Sequence, residues 1–284
     1  MPLVGAFANV NPHQPYPTSI RELFLSQWRN RHLIVQLTKR DVLGRYRGSM
    51  MGLAWSFFNP LIMLTVYTFV FSVVFKARWS VAGEDKVNFA IILFVGLIAY
   101  GLFADCINRA PGLILSNSNY VKKVVFPLEI LPSVALGSAL FHASVSLVVL
   151  LIAQLLVNQR LPWTVVLFPI VLLPLLLTTL GFAWILSALG VYVRDMGQIT
   201  IIFTTVLMFL SPLFYPLSAL PKQYQVWLAF NPLTFIIEQG RNVLIFGKTP
   251  DWMLWALALA GSLLVCAAGF WWFQKTRKGF ADVL

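Results

Sequence analysis

The sequence predicts an all-α protein whose chain crosses a membrane six times. Of its 284 residues, 59% are hydrophobic and 11% are charged, and the mean hydropathy is +0.79. Water-soluble domains are about half apolar and about a quarter charged, so this composition indicates a membrane protein. A helix needs ~20 apolar residues to cross ~30 Å of hydrocarbon. Six segments have this character: Leu53–Phe75, Phe89–Ala104, Ser133–Val157, Trp163–Val193, Ile199–Phe214 and Met253–Phe273.

The six segments differ in what interrupts them. The first and second carry no charge, and the helix of the second should continue to about Asn108. The third is interrupted only by His142 and Gln154. The fourth is very long, and Pro169 and Pro174 allow a kink in it rather than a straight cylinder. The fifth and sixth complete an even number of spans, which leaves both termini on one side.

The distribution of basic residues predicts the orientation of the chain. With the N-terminus in the cytoplasm, 14 of the 21 Lys and Arg residues lie inside and 7 outside, in agreement with the positive-inside rule. The net charge of +11 suits anionic lipid headgroups rather than nucleic acid, because the basic residues flank apolar runs. We expect a multi-pass membrane protein with both termini cytoplasmic. Residues 1–52 form its N-terminal region, and residues 53–284 form the transmembrane domain with a short C-terminal tail.

Residues 19–31 predict an amphipathic helix that precedes the first span. Ser19 and Glu22 have the spacing of a capping box. Arg21 and Arg29 lie away from the apolar stripe, whose positions follow helical periodicity: Ile20, Leu23, Phe24 and Trp28. Packing on a soluble partner is one interpretation, but a Trp-bearing apolar face opposite a basic face favours the membrane interface.

The segment Tyr215–Asp251, between the fifth and sixth spans, is apolar only in short pieces. Prolines and polar residues separate these pieces, and none is long enough to span a membrane. We predict a re-entrant pair of half-helices that enters from the outside and is buried against protein, since unpaired backbone groups are not tolerated in lipid.

No residue pattern indicates an enzyme. Residues 247–249, Gly-Lys-Thr, match only the end of a P-loop, because the motif needs a glycine where Asn242 stands. Any ATP hydrolysis must therefore come from another chain. A membrane-embedded glycosyl or phosphoglycosyl transferase would need a cytoplasmic or interfacial carboxylate cluster, whereas three such residues are solitary in the sequence: Asp41, Glu129 and Asp195.

The polar residues of the spans have structural interpretations. His142 stands alone and favours an interhelical hydrogen bond over a proton relay. Asp105 and Arg109 have the i, i+4 spacing of an ion pair. Cys106 and Cys266 belong to no disulfide framework or metal cluster. A proton-coupled flippase would need several mid-span charges, and the six segments contain none.

The loop between the second and third spans, residues 117–132, predicts a short cytoplasmic helix. Asn117 can cap its start, and Pro127 must end or kink it. The helix is basic and half apolar. It could cover the bundle, or it could insert as a peg into a groove on a soluble partner, and the spacing leaves both open.

Four stretches of this sequence resemble ABC-2-type permeases, above all those that export O-antigen and teichoic acid polysaccharides. The stretch at 45–60 (Arg-Tyr-Arg-Gly-Ser-Met-Met-Gly-Leu-Ala-Trp-Ser-Phe-Phe-Asn-Pro) resembles the entry to the first span of that family. Residues 122–127 (Lys-Lys-Val-Val-Phe-Pro) resemble its coupling helix, and residues 193–195 and 231–241 also match. The resemblance covers roughly residues 20–280 in one order.

The resemblance implies a homodimer of this chain bound to two copies of an ABC ATPase subunit. That subunit would bind ATP and Mg²⁺, and no cofactor is implied for this chain. The implied cargo is a polysaccharide on a polyprenyl pyrophosphate, with O-antigen favoured over teichoic acid, capsule or a small molecule. The coupling helix near 117–127 would contact the ATPase through these residues: Asn117, Tyr120, Val121, Lys122, Lys123 and Val124.

Candidate substrate contacts follow from the same resemblance. Arg45 and Arg47 stand just before the first span, and their guanidinium groups match phosphate oxygens. The alternative is that both only anchor the span to anionic headgroups. Trp55 lies in the same entry motif. An i, i+4, i+8 stripe of Tyr67, Phe71 and Phe75 could stack on sugars in a channel, or it could serve helix packing or face lipid.

Overall fold

The computed structural model describes residues 18–74, 89–122, 126–229 and 231–284. Within these ranges every regular element is a helix, which confirms the all-α prediction. In chain order the helices are α1 (Ile20–Arg29), α2 (Arg31–Arg45), α3 (Trp55–Tyr67), α4 (Phe89–Arg109), α5 (Ser118–Lys122), α6 (Leu131–Asn158), α7 (Phe168–Tyr192), α8 (Met196–Leu210), α9 (Lys222–Ala229), α10 (Pro232–Leu244), α11 (Trp252–Thr276) and α12 (Phe280–Val283). A π-helical segment, Thr68–Val74, continues α3.

Among the residues that the structure describes, five helical stretches are long and apolar enough to cross a membrane. They are Gly52–Phe71, Phe89–Gly112, Leu128–Asn158, Trp163–Tyr192 and Trp252–Val283. The remaining predicted span corresponds to α8, whose 15 residues rise ~22 Å at ~1.5 Å per residue, less than the ~30 Å of a hydrocarbon core. α8 ends because Ser211, which precedes Pro212, is extended (φ −100°, ψ 150°), and a residue before proline avoids helical geometry.

α4 is the centre of the bundle. Its apolar window is 78% buried inside the chain, whereas the window that contains α3 is 11% buried. α4 packs on α6, α7, α8 and α10. It ends at Arg109, close to the predicted Asn108, and a short turn that contains Pro111 follows.

α7 and α11 form the closest helix pair of the bundle. A Cβ atom added to Gly181 of α7 would lie 2.6 Å from the carbonyl oxygen of Val265, and one added to Gly269 of α11 would meet the backbone of Gly181. Small residues allow two helix backbones to approach this closely, and such packing matters in a membrane because the hydrophobic effect does not drive helices together in lipid. Pro169 lies in the first turn of α7 and Pro174 lies inside it, and the helix runs through both.

The described part of the N-terminal region contains two α-helices where the sequence predicted one. α1 begins as expected, since Ser19 Oγ accepts a hydrogen bond from the Glu22 backbone N–H at 3.2 Å. The helix stops at Arg29, and α2 then packs on α6. Of the predicted apolar stripe, Leu23 is buried, and the other three side chains are exposed: Ile20, Phe24 and Trp28. This exposed, Trp-bearing face is compatible with an interfacial position.

The segment between α8 and α11 folds into the two short helices α9 and α10. Asn231 caps α10, since its Oδ1 accepts from the Leu233 backbone N–H at 3.0 Å, and Pro232 occupies the first turn. α10 is buried against α4 and α7. Gln239 Oε1 accepts from the Asp251 N–H at 3.1 Å and joins α10 to the start of α11.

Candidate functional site

One end of the bundle collects α1, α2, α5, the C-terminal end of α4 and residues 277–284. We call it the basic end. Two aspartates and two arginines form an ion-pair network there between α2 and α4. Arg45 Nη2 lies 2.7 Å from Asp105 Oδ2, and Arg109 Nη2 lies 2.7 Å from Asp41 Oδ1.

This network extends the one ion pair that the sequence predicted. Asp105 and Arg109 do approach, at 3.9 Å, but each has a closer partner on α2. The sequence analysis placed Asp41 in no carboxylate cluster, and it did not identify the cationic partner Arg109, which is 68 residues away. Burial raises the pKa of Asp41, but the hydrogen bond and charge of Arg109, together with the charge of Arg45, outweigh it and hold that pKa below its ordinary value.

A cavity of about 270 Å³ opens beside the Arg45–Asp105 pair, and we call it the polar pocket. Its polar lining comes from α2, α3, α4 and α6: Arg45, Tyr46, Ser56, Asn59, Asp105, His142 and Ser146. Tyr46 Oη lies 3.4 Å from His142 Nδ1, an interhelical contact of the kind predicted for this histidine. The His142 Nε2 atom is buried and has no hydrogen-bond partner in the part of the chain that the structure describes.

Arg47 lies two residues after the end of α2, away from the polar pocket. It lines an open cleft of about 460 Å³, which we call the cationic cleft, with Lys39 and Arg40. The rest of the lining is uncharged: Gln36, Leu43 and Gly44. The two arginines paired by the sequence analysis therefore differ, because Arg45 is neutralised by an aspartate and Arg47 stands among cations.

The aromatic candidates of the first span have different environments in the structure. Trp55 begins α3 and is exposed. The ring of Phe71 lies 6.5 Å from that of Tyr67 and stacks on Phe89 at 5.2 Å and on Phe214 at 6.3 Å. Phe71 therefore serves helix packing in this conformation. Phe75 lies outside the described residues.

A short helix, α5, lies in the segment where the sequence analysis predicted a coupling helix. Tyr120 stacks on Phe126 with ring centroids 4.3 Å apart, and its hydroxyl accepts a hydrogen bond from Arg40 Nη2 at 3.1 Å. Asn117 directly precedes the helix, and its side-chain amide donates to the Leu113 carbonyl at 2.9 Å. Val121 and Lys122 end the helix, and Lys123 and Val124 lie outside the described residues.

Glu129 anchors the part of the chain that follows α5. Its carboxylate lies 2.6 Å from Arg277 Nη1 and accepts from Ser26 Oγ at 2.9 Å. Its carbonyl accepts from Trp184 Nε1 at 2.9 Å, and Arg277 Nη2 donates to the Phe126 carbonyl at 2.8 Å. The sequence analysis placed Glu129 in no carboxylate cluster, and it did not identify the cationic partner Arg277, which comes 148 residues later. The sequence signal was an acid flanked by apolar residues, which requires a cation when buried.

Sequence reasoning also missed the role of Arg241. The sequence analysis counted it among the basic residues on the outer side of the membrane, but in α10 its side chain is only 1% exposed. Its guanidinium donates to Glu238 Oε1 at 2.9 Å, to the Leu213 carbonyl at 3.0 Å and to the Ile92 carbonyl at 3.3 Å. Arg241 therefore fixes α10 to α4 and to the loop after α8.

Comparison with known proteins gives one consistent result. The family model described as ABC-2 type transporter matches residues 32–245. The O-antigen export system permease protein RfbA of Myxococcus xanthus is 32% identical over 266 residues, which cover 93% of this chain and 98% of the relative. A protein of the same name from Klebsiella pneumoniae is 25% identical over 89% of this chain and 95% of its own length. The polysialic acid transport protein KpsM of Escherichia coli is 24% identical over 73% of this chain and 79% of its own.

Proposed function

Because the chain belongs to the ABC-2 type transporter family, we propose that it is the permease subunit of an ABC exporter for a polysaccharide linked to polyprenyl pyrophosphate. O-antigen is the favoured cargo. The observation that carries the proposal is the 32% identity to an O-antigen export permease over 93% of this chain and 98% of that relative. Capsule is the second candidate, because the similarity to KpsM supports it.

The proposed topology has six spans with both termini in the cytoplasm of a bacterium, and the basic end faces the cytoplasm. α8 is the short fifth span. α9 and α10 form the re-entrant segment from the outer side, which the attachment of α10 to the start of α11 supports. The burial of Arg241 in α10 also supports it, since a charge at membrane depth needs protein partners.

The proposed assembly is a homodimer with two ABC ATPase subunits. ATP and Mg²⁺ bind to the ATPases, and this chain acts as a transport subunit rather than an enzyme. The sparse burial of the first span within one chain, 11% against 78% for α4, leaves a face for the second copy. α5 contacts the ATPase, and the anchored segment Phe126–Glu129 holds the end of the coupling helix in place.

The proposed phosphate site is the cationic cleft. Three cations and no acid line it, and guanidinium groups bind phosphate oxygens bidentately. Arg45 belongs to the substrate path but is paired with Asp105, whose negative charge disfavours a phosphate at that point. Arg47 therefore makes the first contact with the pyrophosphate, and Arg45 acts on the part of the substrate that follows.

The test is removal of the gene from its host with complementation by the intact chain. We expect surface polysaccharide to disappear and its lipid-linked precursor to accumulate inside. Which polymer disappears distinguishes O-antigen from capsule or teichoic acid. The affinity-tagged chain should also co-purify a P-loop ATPase. Normal surface polysaccharides together with normal drug resistance in the deletion strain, or a chain that purifies without an ATPase, would contradict the proposal.

A further inference from the structure

The polar pocket lies inside the membrane-spanning bundle, near the basic end. Asn59 is in the second turn of α3, and Asp105 is one turn before the end of α4. His142 is 11 residues into α6, which corresponds to ~16 Å at ~1.5 Å per residue. Polar groups at membrane depth are costly and generally mark a substrate path or a water-filled cavity.

The charge of the pocket argues against a phosphate. The Arg45 guanidinium is 2.7 Å from the Asp105 carboxylate, and the neighbouring Arg109 and Asp41 form a second close pair. Two positive and two negative charges cancel. A neutral ligand that both donates and accepts hydrogen bonds is therefore the better match, because a carboxylate accepts and a guanidinium donates.

Two polar side chains of the pocket have unused hydrogen-bonding capacity. His142 Nε2 is buried without a partner in the described residues, whereas Asn59 is exposed at the pocket wall and its amide makes no hydrogen bond within the described ranges. Buried polar groups are normally paired, so an unpaired one indicates a missing partner. The Asn59 amide offers both donors and an acceptor, which is what adjacent hydroxyl groups require.

The pocket has room for one small group. Its volume of about 270 Å³ is just below the ~300–1,000 Å³ typical of small-molecule sites. A Cβ atom added to Gly101, which lines it, would meet nothing within 4 Å. A single ring fits these dimensions, whereas a chain of several sugars does not.

We propose that the polar pocket binds the sugar ring attached directly to the pyrophosphate of the lipid carrier. Asp105 and Asn59 accept hydrogen bonds from ring hydroxyls, Arg45 and the Asn59 amide donate to them, and His142 Nε2 completes the set. This inference rests on the proposed function. It makes the first sugar a determinant of specificity, because a site built around hydroxyl groups discriminates against ligands that lack them.

The test measures binding to the complex of the chain with its ATPase in lipid nanodiscs. The two probes are undecaprenyl pyrophosphate and undecaprenyl-pyrophosphoryl N-acetylglucosamine. We expect the wild-type complex to bind the glycosylated probe about tenfold more tightly, the change that one or two additional hydrogen bonds produce. Gly101→Leu fills the pocket and should reduce the ratio of the two affinities to about one, without changing the affinity for undecaprenyl pyrophosphate.

Matched variants make the result specific. Gly261→Leu, on α11, adds the same side chain at another glycine with open space and should keep the wild-type ratio. Asn59→Leu removes the amide without filling the pocket and should also lower the ratio of the two affinities. This variant keeps the test decisive if Gly101→Leu does not fold.

A wild-type affinity ratio in Gly101→Leu, or an equal loss of affinity for both probes, overturns the sugar site. Wild-type complex that binds both probes equally overturns it while leaving the proposed function intact, and binding of neither probe counts against the function itself.

Discussion

The buried ion pair between Glu129 and Arg277 gives the sharpest prediction for stability. The two side chains are only 7% and 11% exposed and lie 2.6 Å apart. Removal of one partner from a buried pair costs ~3–5 kcal/mol, because the other charge is left uncompensated. Ser26 still donates to Glu129, but Arg277→Met also removes the hydrogen bond to the Phe126 carbonyl. We therefore expect Arg277→Met to lower the free energy of unfolding by ~3–5 kcal/mol.

The assay is equilibrium unfolding of the purified chain in detergent. The matched control is Glu22→Gln, which breaks a pair of 3.4 Å whose Arg29 side chain is 68% exposed, and exposed pairs contribute at most ~1 kcal/mol. The double variant Glu129→Met with Arg277→Met should recover much of the loss, since apolar replacements of both partners are often neutral. An Arg277→Met protein within ~0.5 kcal/mol of wild type, the range of ordinary surface changes, would refute the reasoning.

Three further predictions concern the proposed transport cycle. The chain purified alone should release no phosphate from ATP, and robust turnover by partner-free protein would contradict a permease subunit. Val121→Asp with Val124→Asp places unpaired charge in the proposed ATPase contact, at a cost of several kcal/mol. Recovery of the complex between the chain and its ATPase should therefore fall, while insertion of the chain into the membrane persists. Normal co-purification of the ATPase with the double variant would place the coupling site elsewhere. Arg45→Lys with Arg47→Lys keeps the charge but loses the planar fork, so surface polysaccharide should drop with normal expression, whereas Arg160→Lys should have no effect. Wild-type surface polymer in the double variant would assign Arg47 to lipid anchoring and would leave Arg45 only as the ion-pair partner of Asp105.

The spans could be predicted because hydrophobic length depends on local sequence alone. α8 shows the limit of that reasoning, since the apolar run continues to Phe214 but Pro212 forces an extended backbone at Ser211 and ends the helix early. The division of the N-terminal region into α1 and α2 was missed for a related reason. The apolar stripe was followed only to Trp28, and α2 is held chiefly by its packing on α6, a tertiary contact.

The polar network could not be predicted, because its partners are distant in sequence. Asp105 and Arg109 were paired correctly by their spacing, but the closest partner of each lies on α2. Glu129 and Arg277 are 148 residues apart. A lone charge next to an apolar run indicates that a partner exists, but only the fold identifies which one.

α2 connects α5, the proposed coupling helix, to the polar pocket. At its middle, Arg40 donates to the Tyr120 hydroxyl of α5 at 3.1 Å, and at its end Arg45 pairs with Asp105 at 2.7 Å. Just before Arg40 the helix lies close against α6, where a Cβ atom on Gly137 would be 2.8 Å from Thr38 Oγ1. A continuous helix moves as a rigid unit, so a displacement of α5 by the ATPase would reach the Arg45–Asp105 pair directly. Closure of the ATPases and release of the substrate can therefore be coupled through one helix, without a rearrangement of the buried core around α4.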